Sequence, residues 1–180
     1  MKYLYVLILL ASLSCTTNQV RPVQSEDLLF PNGRYQQSVD VDVTAPQHKQ
    51  DFDFDCVVQK SPDEVLFYGY NNFGFSLFKI SEKSGQPIEA ESSIPQIKKN
   101  QEFFVKVFKL VKTIFSLQKS DSRLKDQQID LEQDGIKAHV TFSQVDALGI
   151  PLKIDVSTAG QYEVKIKTSS YKLKTETVPR

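Results

Sequence analysis

Between Tyr35 and Val58 most apolar residues fall at every second position, and that period confines the stretch to β-structure. Val39, Val41 and Val43 alternate with Asp40 and Asp42, and Phe52, Phe54, Cys56 and Val58 alternate with Asp51, Asp53 and Asp55. Successive side chains of a strand point to opposite faces, so each run presents one apolar and one acidic face. The proline in the intervening Ala45-Pro46-Gln47-His48-Lys49 interrupts pairing, which predicts an antiparallel hairpin with a long loop. Ser61-Pro62-Asp63 turns the chain into Val65 to Tyr70, and Asn71-Asn72-Phe73-Gly74 turns it again into Phe75 to Ile80, completing a meander of four strands. Ser84-Gly85-Gln86-Pro87 leads to a weaker strand near Ile88 to Ser92.

The period then changes. With Asn100 as N-cap, Phe103, Phe104, Val107, Phe108, Leu110, Val111, Ile114, Phe115 and Leu117 recur at spacings of three and four, opposite Glu102, Lys106, Lys109, Thr113 and Ser116. One amphipathic helix is expected there, with a stripe wide enough to need a large apolar surface. Ser120 to Gln127 is polar and reads as a loop. Alternation resumes through Ile129 and Leu131, a turn at Gln133-Asp134-Gly135, and Ile136, Ala138, Val140 and Phe142. It continues in Pro151 to Val156, a turn at Thr158-Ala159-Gly160-Gln161, and Tyr162, Val164 and Ile166, with a last short strand at Tyr171 and Leu173. About nine strands with one apolar face, split by a single helix, predict a mainly β fold in which the helix covers that face.

The amino terminus carries a separate signal. Lys2 precedes a mostly apolar run from Tyr3 to Leu13, too short for a bilayer core that needs about 20 residues. Ala11-Ser12-Leu13-Ser14-Cys15 resembles the lipobox, at which lipoprotein signal peptidase cuts before a diacylglyceryl-modified cysteine. The expected organisation is a signal peptide over 1–14, a lipidated Cys15 and polar tether over 15–33, one domain over 34–175 and a frayed tail over 176–180. By resemblance to enterobacterial sorting, Thr16 after the cysteine favours the outer membrane, facing the periplasm. Lipid on Cys15 leaves Cys56 unpaired, as a small apolar residue in the core.

Charge and motifs narrow the function. Lys and Arg total 22 and Asp and Glu total 22, so no electrostatic footprint for nucleic acid exists, and the membrane tether has to be the lipid. Glycine-rich phosphate loops, nucleophile elbows and paired zinc cysteines are absent from the sequence, so neither an enzyme nor a cofactor or metal is expected. His48 lies in a polar loop and His139 on the polar side of its strand, both as solvated residues. Asp40, Asp42, Asp51, Asp53 and Asp55 can form a ladder on one sheet face, which wants cations or balancing lysines such as Lys165, Lys167, Lys172 and Lys174. The ladder lacks the glycine and distal glutamate of an EF-hand. On the apolar side, Phe52, Phe54, Phe67, Phe75, Phe103, Phe104, Phe108 and Phe115 converge between sheet and helix. Such a set either fills a core or lines an acyl cavity, and the residues leave both open.

The order of parts (lipidated Cys15, polar tether, four meandering strands, helix, carboxy-terminal strands) resembles the lipoprotein-localisation family of LolA and LolB. The turn Asn71-Asn72-Phe73-Gly74 matches the family's membrane-contacting turn, with Phe73 in place of a protruding leucine. Gln133-Asp134-Gly135-Ile136 through Pro151 to Ile166 matches its later hairpin and proline-led strand. The resemblance implies an open antiparallel β half-barrel with a helical lid, which binds lipid or acyl groups without chemistry. Phe52, Phe54, Phe67, Phe75, Phe104, Phe108 and Phe115 would line the cavity and Phe73 would touch the membrane. The expected partners are the membrane, through Cys15, and lipid or acylated protein cargo handled by a monomer, in lipoprotein or glycolipid transfer. The other function open to such a chain is that of a structural or adaptor lipoprotein with a packed core.

Overall fold

The computed structural model describes residues 25–45, 48–99, 101–159 and 162–174. Among them are nine strands: β1 (Gly33–Ala45), β2 (His48–Lys60), β3 (Glu64–Tyr70), β4 (Ser76–Lys83), β5 (Glu89–Ser92), β6 (Gln128–Gln133), β7 (Ile136–Val145), β8 (Pro151–Thr158) and β9 (Tyr162–Leu173). Between β5 and β6 stand a short helix α1 (Pro95–Lys99) and the longer α2 (Gln101–Phe115). All strands join one antiparallel sheet in the order β5-β4-β3-β2-β1-β9-β8-β7-β6. Two meanders are thus joined where the first strand pairs with the last, and the helices connect the two free edges. The predicted signal peptide, Cys15, the Asn100 cap and the tail over 176–180 lie outside the described residues.

The register aligns the apolar positions of every strand. Val39 sits between Phe54 and Ile166, and Val41 between Phe52 and Val164. Outward from there, Val58 faces Phe67 and Phe67 faces Ile80, while Ile166 faces Ile154 and Ile154 faces Phe142. One continuous apolar face results, and the period of two puts the aspartates on the other.

The sheet curls around this face. Strands spaced about 4.8 Å apart would put β4 and β6 about 34 Å from each other in a flat sheet. Yet on α2 Lys112 reaches Glu82 of β4 at 2.8 Å, and Lys109, one turn earlier, reaches Asp134 beside β6 at 2.7 Å. Both edges therefore bend toward the same helix, giving an open half-barrel lidded by α2. Two half-exposed ion pairs of this kind contribute little energy. The buried helix residues Phe108, Leu110, Ile114 and Phe115 hold the lid in place. Gly69 matters to the packing, because a Cβ there would come within 2.3 Å of the Phe78 ring, which occupies that hollow.

The structure differs from the sequence pattern in two places. The tether expected to extend to residue 33 ends sooner: Ser25–Asp27 forms a 3₁₀ turn, Leu29 and Phe30 are buried, and the Leu29 amide donates to the Leu117 carbonyl at 2.8 Å. Leu28-Leu29-Phe30 is too apolar to remain in water, and it fills one end of the half-barrel. The separate last strand at Tyr171 and Leu173 is instead the end of β9. A bulge at Ser169, opposite Gln36 and Gln37, shifts the inward positions from even to odd numbers, which interrupts the alternation in the sequence.

Candidate functional site

The cup has two unlike ends. At the closed end, where β1 begins and β2 finishes, aromatic rings fill the interior. Phe115 lies 4.5 Å from Phe30, 5.7 Å from Tyr35 and 5.8 Å from Phe67 between centroids, and Phe67 meets Phe108 edge to face. Tyr35 is fully buried and its hydroxyl donates to the Pro31 carbonyl at 2.6 Å. Burial, with the Tyr171 phenol and Asp146 nearby, pushes its ionisation well above the ordinary tyrosine range. Tyr171 donates to Asp146, which also accepts the amides of Leu148 and Ile150. Burial raises that carboxyl, but these hydrogen bonds outweigh it and hold Asp146 below the usual carboxylate range.

Lys60 is the unexpected member of this end. Only 6% exposed, its ammonium donates to the carbonyls of Phe30 at 2.8 Å and of Phe115 at 2.6 Å. The second bond caps the last residue of α2, whose carbonyl has no partner inside the helix. Lys60 continues the inward series Phe52, Phe54, Cys56 and Val58 by one step, so strand parity was the signal that could have found it. Burial lowers its ionisation from 10.5 to about 8. Between those values the unfolded chain binds a proton that the folded chain has lost, so stability rises with pH across that window. The gain, about 3 kcal/mol at most, is complete only near the upper value, and from about pH 9 the buried Cys56 thiol, pushed up to about 12, opposes it as the unfolded chain's thiol ionises. Urea midpoints are therefore expected to climb from pH 7.5 to pH 9 in the native chain and to fall slightly in Lys60→Met, where Cys56 acts without Lys60. A flat or falling native profile would place the ammonium in water.

The opposite end is the mouth, where β1 finishes and β2, β4 and β9 begin. Its aromatic residues are poorly covered. Phe52 is 44% exposed, Phe103 39%, Phe75 70% and Phe73 85%. Phe52 stacks on Phe54, Phe54 meets Phe78 edge to face, and Phe103 contacts Phe104 and Tyr162. Phe73 and Phe75 project from a tight turn, in which the Asn71 side-chain oxygen accepts both their amides and Gly74 adopts φ 81°. Asn72 ties this turn to Asp53 of β2 at 3.3 Å.

The seven predicted cavity residues therefore divide. Phe67, Phe108 and Phe115 are buried in the closed end, Phe54 and Phe104 are half-buried between the ends, and Phe52 and Phe75 stand at the mouth beside Phe73. Two open surface grooves, of about 680 and 640 Å³, flank the lid and the β6 to β9 edge. Polar residues such as Lys109, Lys112 and Gln133 dominate the first, the second mixes Asp130, His139 and Glu163 with Leu131, Ala138 and Tyr162, and no phenylalanine lines either.

The outer face carries the aspartate ladder as expected. Asp40 faces Asp53 and Asp42 faces Asp51, while Lys165 lies opposite Asp40 and pairs with Asp42 at 3.3 Å. Among the described residues no group of three side chains could hold a metal ion. His139 sits exposed on this face with its Nδ1 2.8 Å from Asp130; the His48 side chain lies outside the described residues. Cys56 is buried, and its surroundings push the thiol up to about 12, so it stays protonated. No described helix is long and apolar enough to cross a membrane.

No family model matches the chain, and no curated protein matches it in sequence. Among solved structures, it is similar to the crystal structure of LolA superfamily protein NE2245 from Nitrosomonas europaea, with a TM-score of 0.45 and 10% identity, over 85% of this chain and 91% of that one.

Proposed function

We propose that this protein is a lipid carrier, anchored through Cys15 to the outer membrane and facing the periplasm, whose cup takes up acyl chains at the mouth and hands them on without catalysis. The observation that carries this reading is the mouth itself: Phe52 of β2, Phe73 and Phe75 of the turn before β4, and Phe103 of α2 are each exposed toward the end where the apolar face of the sheet opens. Single exposed apolar residues are ordinary, whereas several exposed phenylalanines at the open end of an apolar sheet face point to a binding surface. Uptake would begin at the amino-terminal half of α2, where Phe103 is exposed and Phe104 only half-buried. The carboxy-terminal half is held by its buried residues, by Lys60 and by the Leu29 amide at Leu117. Each CH₂ transferred from water into such an interior gains about 0.8 kcal/mol, enough for the cup to compete with a bilayer. Lipoproteins and glycolipids bound for the outer membrane are cargo of this kind.

Native mass spectrometry and lipid extraction of the purified chain are expected to find bound acyl lipid, and a fluorescent fatty acid is expected to bind the delipidated protein. A protein that is always ligand-free and takes up no probe would overturn the reading. The edge-to-face rings of the closed end favour a second role, an adaptor with a packed core. It predicts a single stoichiometric partner in a pull-down that survives Phe73→Asp.

A further inference from the structure

On the inner face of the cup, in a layer otherwise built from hydrocarbon and rings, Gln37 and Thr168 sit opposite each other on β1 and β9, 3% and 6% exposed. Tyr35 and Val39 flank Gln37 along its strand, and Cys56 faces it from β2. The Gln37 side-chain nitrogen donates to the Thr168 hydroxyl at 3.1 Å. The Gln37 amide oxygen accepts no hydrogen bond from the described residues. Among the described residues no fully enclosed side-chain polar atom lacks a partner, so this oxygen keeps a little accessible surface despite the burial of its residue. The second amide hydrogen of Gln37 and the hydroxyl hydrogen of Thr168 are likewise unused, so the pair offers an acceptor and donors side by side. If the amide is turned over, the roles exchange and both kinds of site remain.

We infer that Gln37 and Thr168 form a polar subsite within the cup that selects acyl chains carrying a hydroxyl group over unsubstituted chains. The inference rests on the acyl-carrier reading above and names its substrate class. A hydroxyl both donates and accepts, and so satisfies the pair in full. An ester only accepts, and a methylene leaves a buried amide oxygen without a donor, which discriminates strongly in an apolar site. Neither Gln37 nor Thr168 is charged, so the subsite matches a neutral group along the chain and not its carboxylate.

The test is displacement of a fluorescent fatty acid from the purified full chain by tetradecanoic acid and by the positional isomers of hydroxytetradecanoic acid. At least one isomer is expected to displace the probe at a concentration about 3- to 10-fold lower than the plain acid does. Gln37→Leu and Thr168→Val are each expected to remove that preference, Gln37→Leu by tightening the plain acid, which no longer strands an amide oxygen. Thr168→Ser, which keeps the hydroxyl, retains the preference and guards against a loss due to misfolding. Equal displacement by every isomer, or a preference that persists in Gln37→Leu, overturns the subsite alone. Failure of the probe to bind at all overturns the carrier reading and the subsite with it.

Discussion

Phe115→Ala is expected to lower the unfolding free energy by about 3 to 5 kcal/mol, a large share of the roughly 5 to 15 kcal/mol that holds a domain of this size together. Phe115 has no exposed surface, and its ring is boxed by Phe30, Tyr35 and Phe67, which belong to the amino-terminal segment, β1 and β3. These neighbours come from elements far apart in the chain and cannot all relax into the space one ring leaves. The substitution therefore loosens the lid, the first strand and the amino-terminal segment at once. Urea denaturation measures the effect directly, with Phe52→Ala at the exposed mouth as the control of much smaller cost. A loss below about 1 kcal/mol for Phe115→Ala would mean that the closed end is not packed as described.

The pair Phe73→Asp and Phe75→Asp is expected to do the opposite, leaving stability within about 0.5 kcal/mol of native while abolishing most of the function. Both rings stand in solvent, on a turn held by Asn71 and Gly74, and neither contributes to the core. If this turn enters the bilayer interface, each buried phenylalanine contributes about 1.5 to 3 kcal/mol of attachment, and the two carboxylates add repulsion from the apolar region. Transfer of a fluorescent acyl probe from donor to acceptor vesicles should slow by about tenfold or more. The affinity of the protein for the probe should stay unchanged. Unaltered transfer would remove Phe73 and Phe75 from the proposed membrane contact.

Much of this architecture was legible because a strand's period is short and local. Alternation at Val39, Val41 and Val43, or at Ile136, Ala138 and Val140, needs no knowledge of partners, and nine strands around one helix followed from it. Lys60, Gln37 and Thr168 illustrate what was readable in principle yet easily passed over. Each is a polar residue at a position where parity demands an apolar one, so an apolar pattern simply stops there. The amino-terminal boundary was not legible in the same way. Leu28-Leu29-Phe30 has no period, and only the space at the end of the half-barrel explains why Leu29 and Phe30, after a polar stretch, become core. The bulge at Ser169 hid the end of β9 for a related reason: its extra residue is defined by pairing with β1, over 130 positions away.

By itself the sequence determined the inward parity of most strand residues, which segment is the lid, and the Leu13-Ser14-Cys15 stretch on which the proposed anchor rests. These are properties of contiguous residues, set by backbone geometry and local chemistry. Only the tertiary structure decided which phenylalanines pack and which stand exposed. Phe67, Phe108 and Phe115 carry the same local pattern as Phe52, Phe75 and Phe103. What separates them is position along the axis of a curled sheet: at one end an incoming segment and a buried lysine close the space, and at the other nothing described covers it.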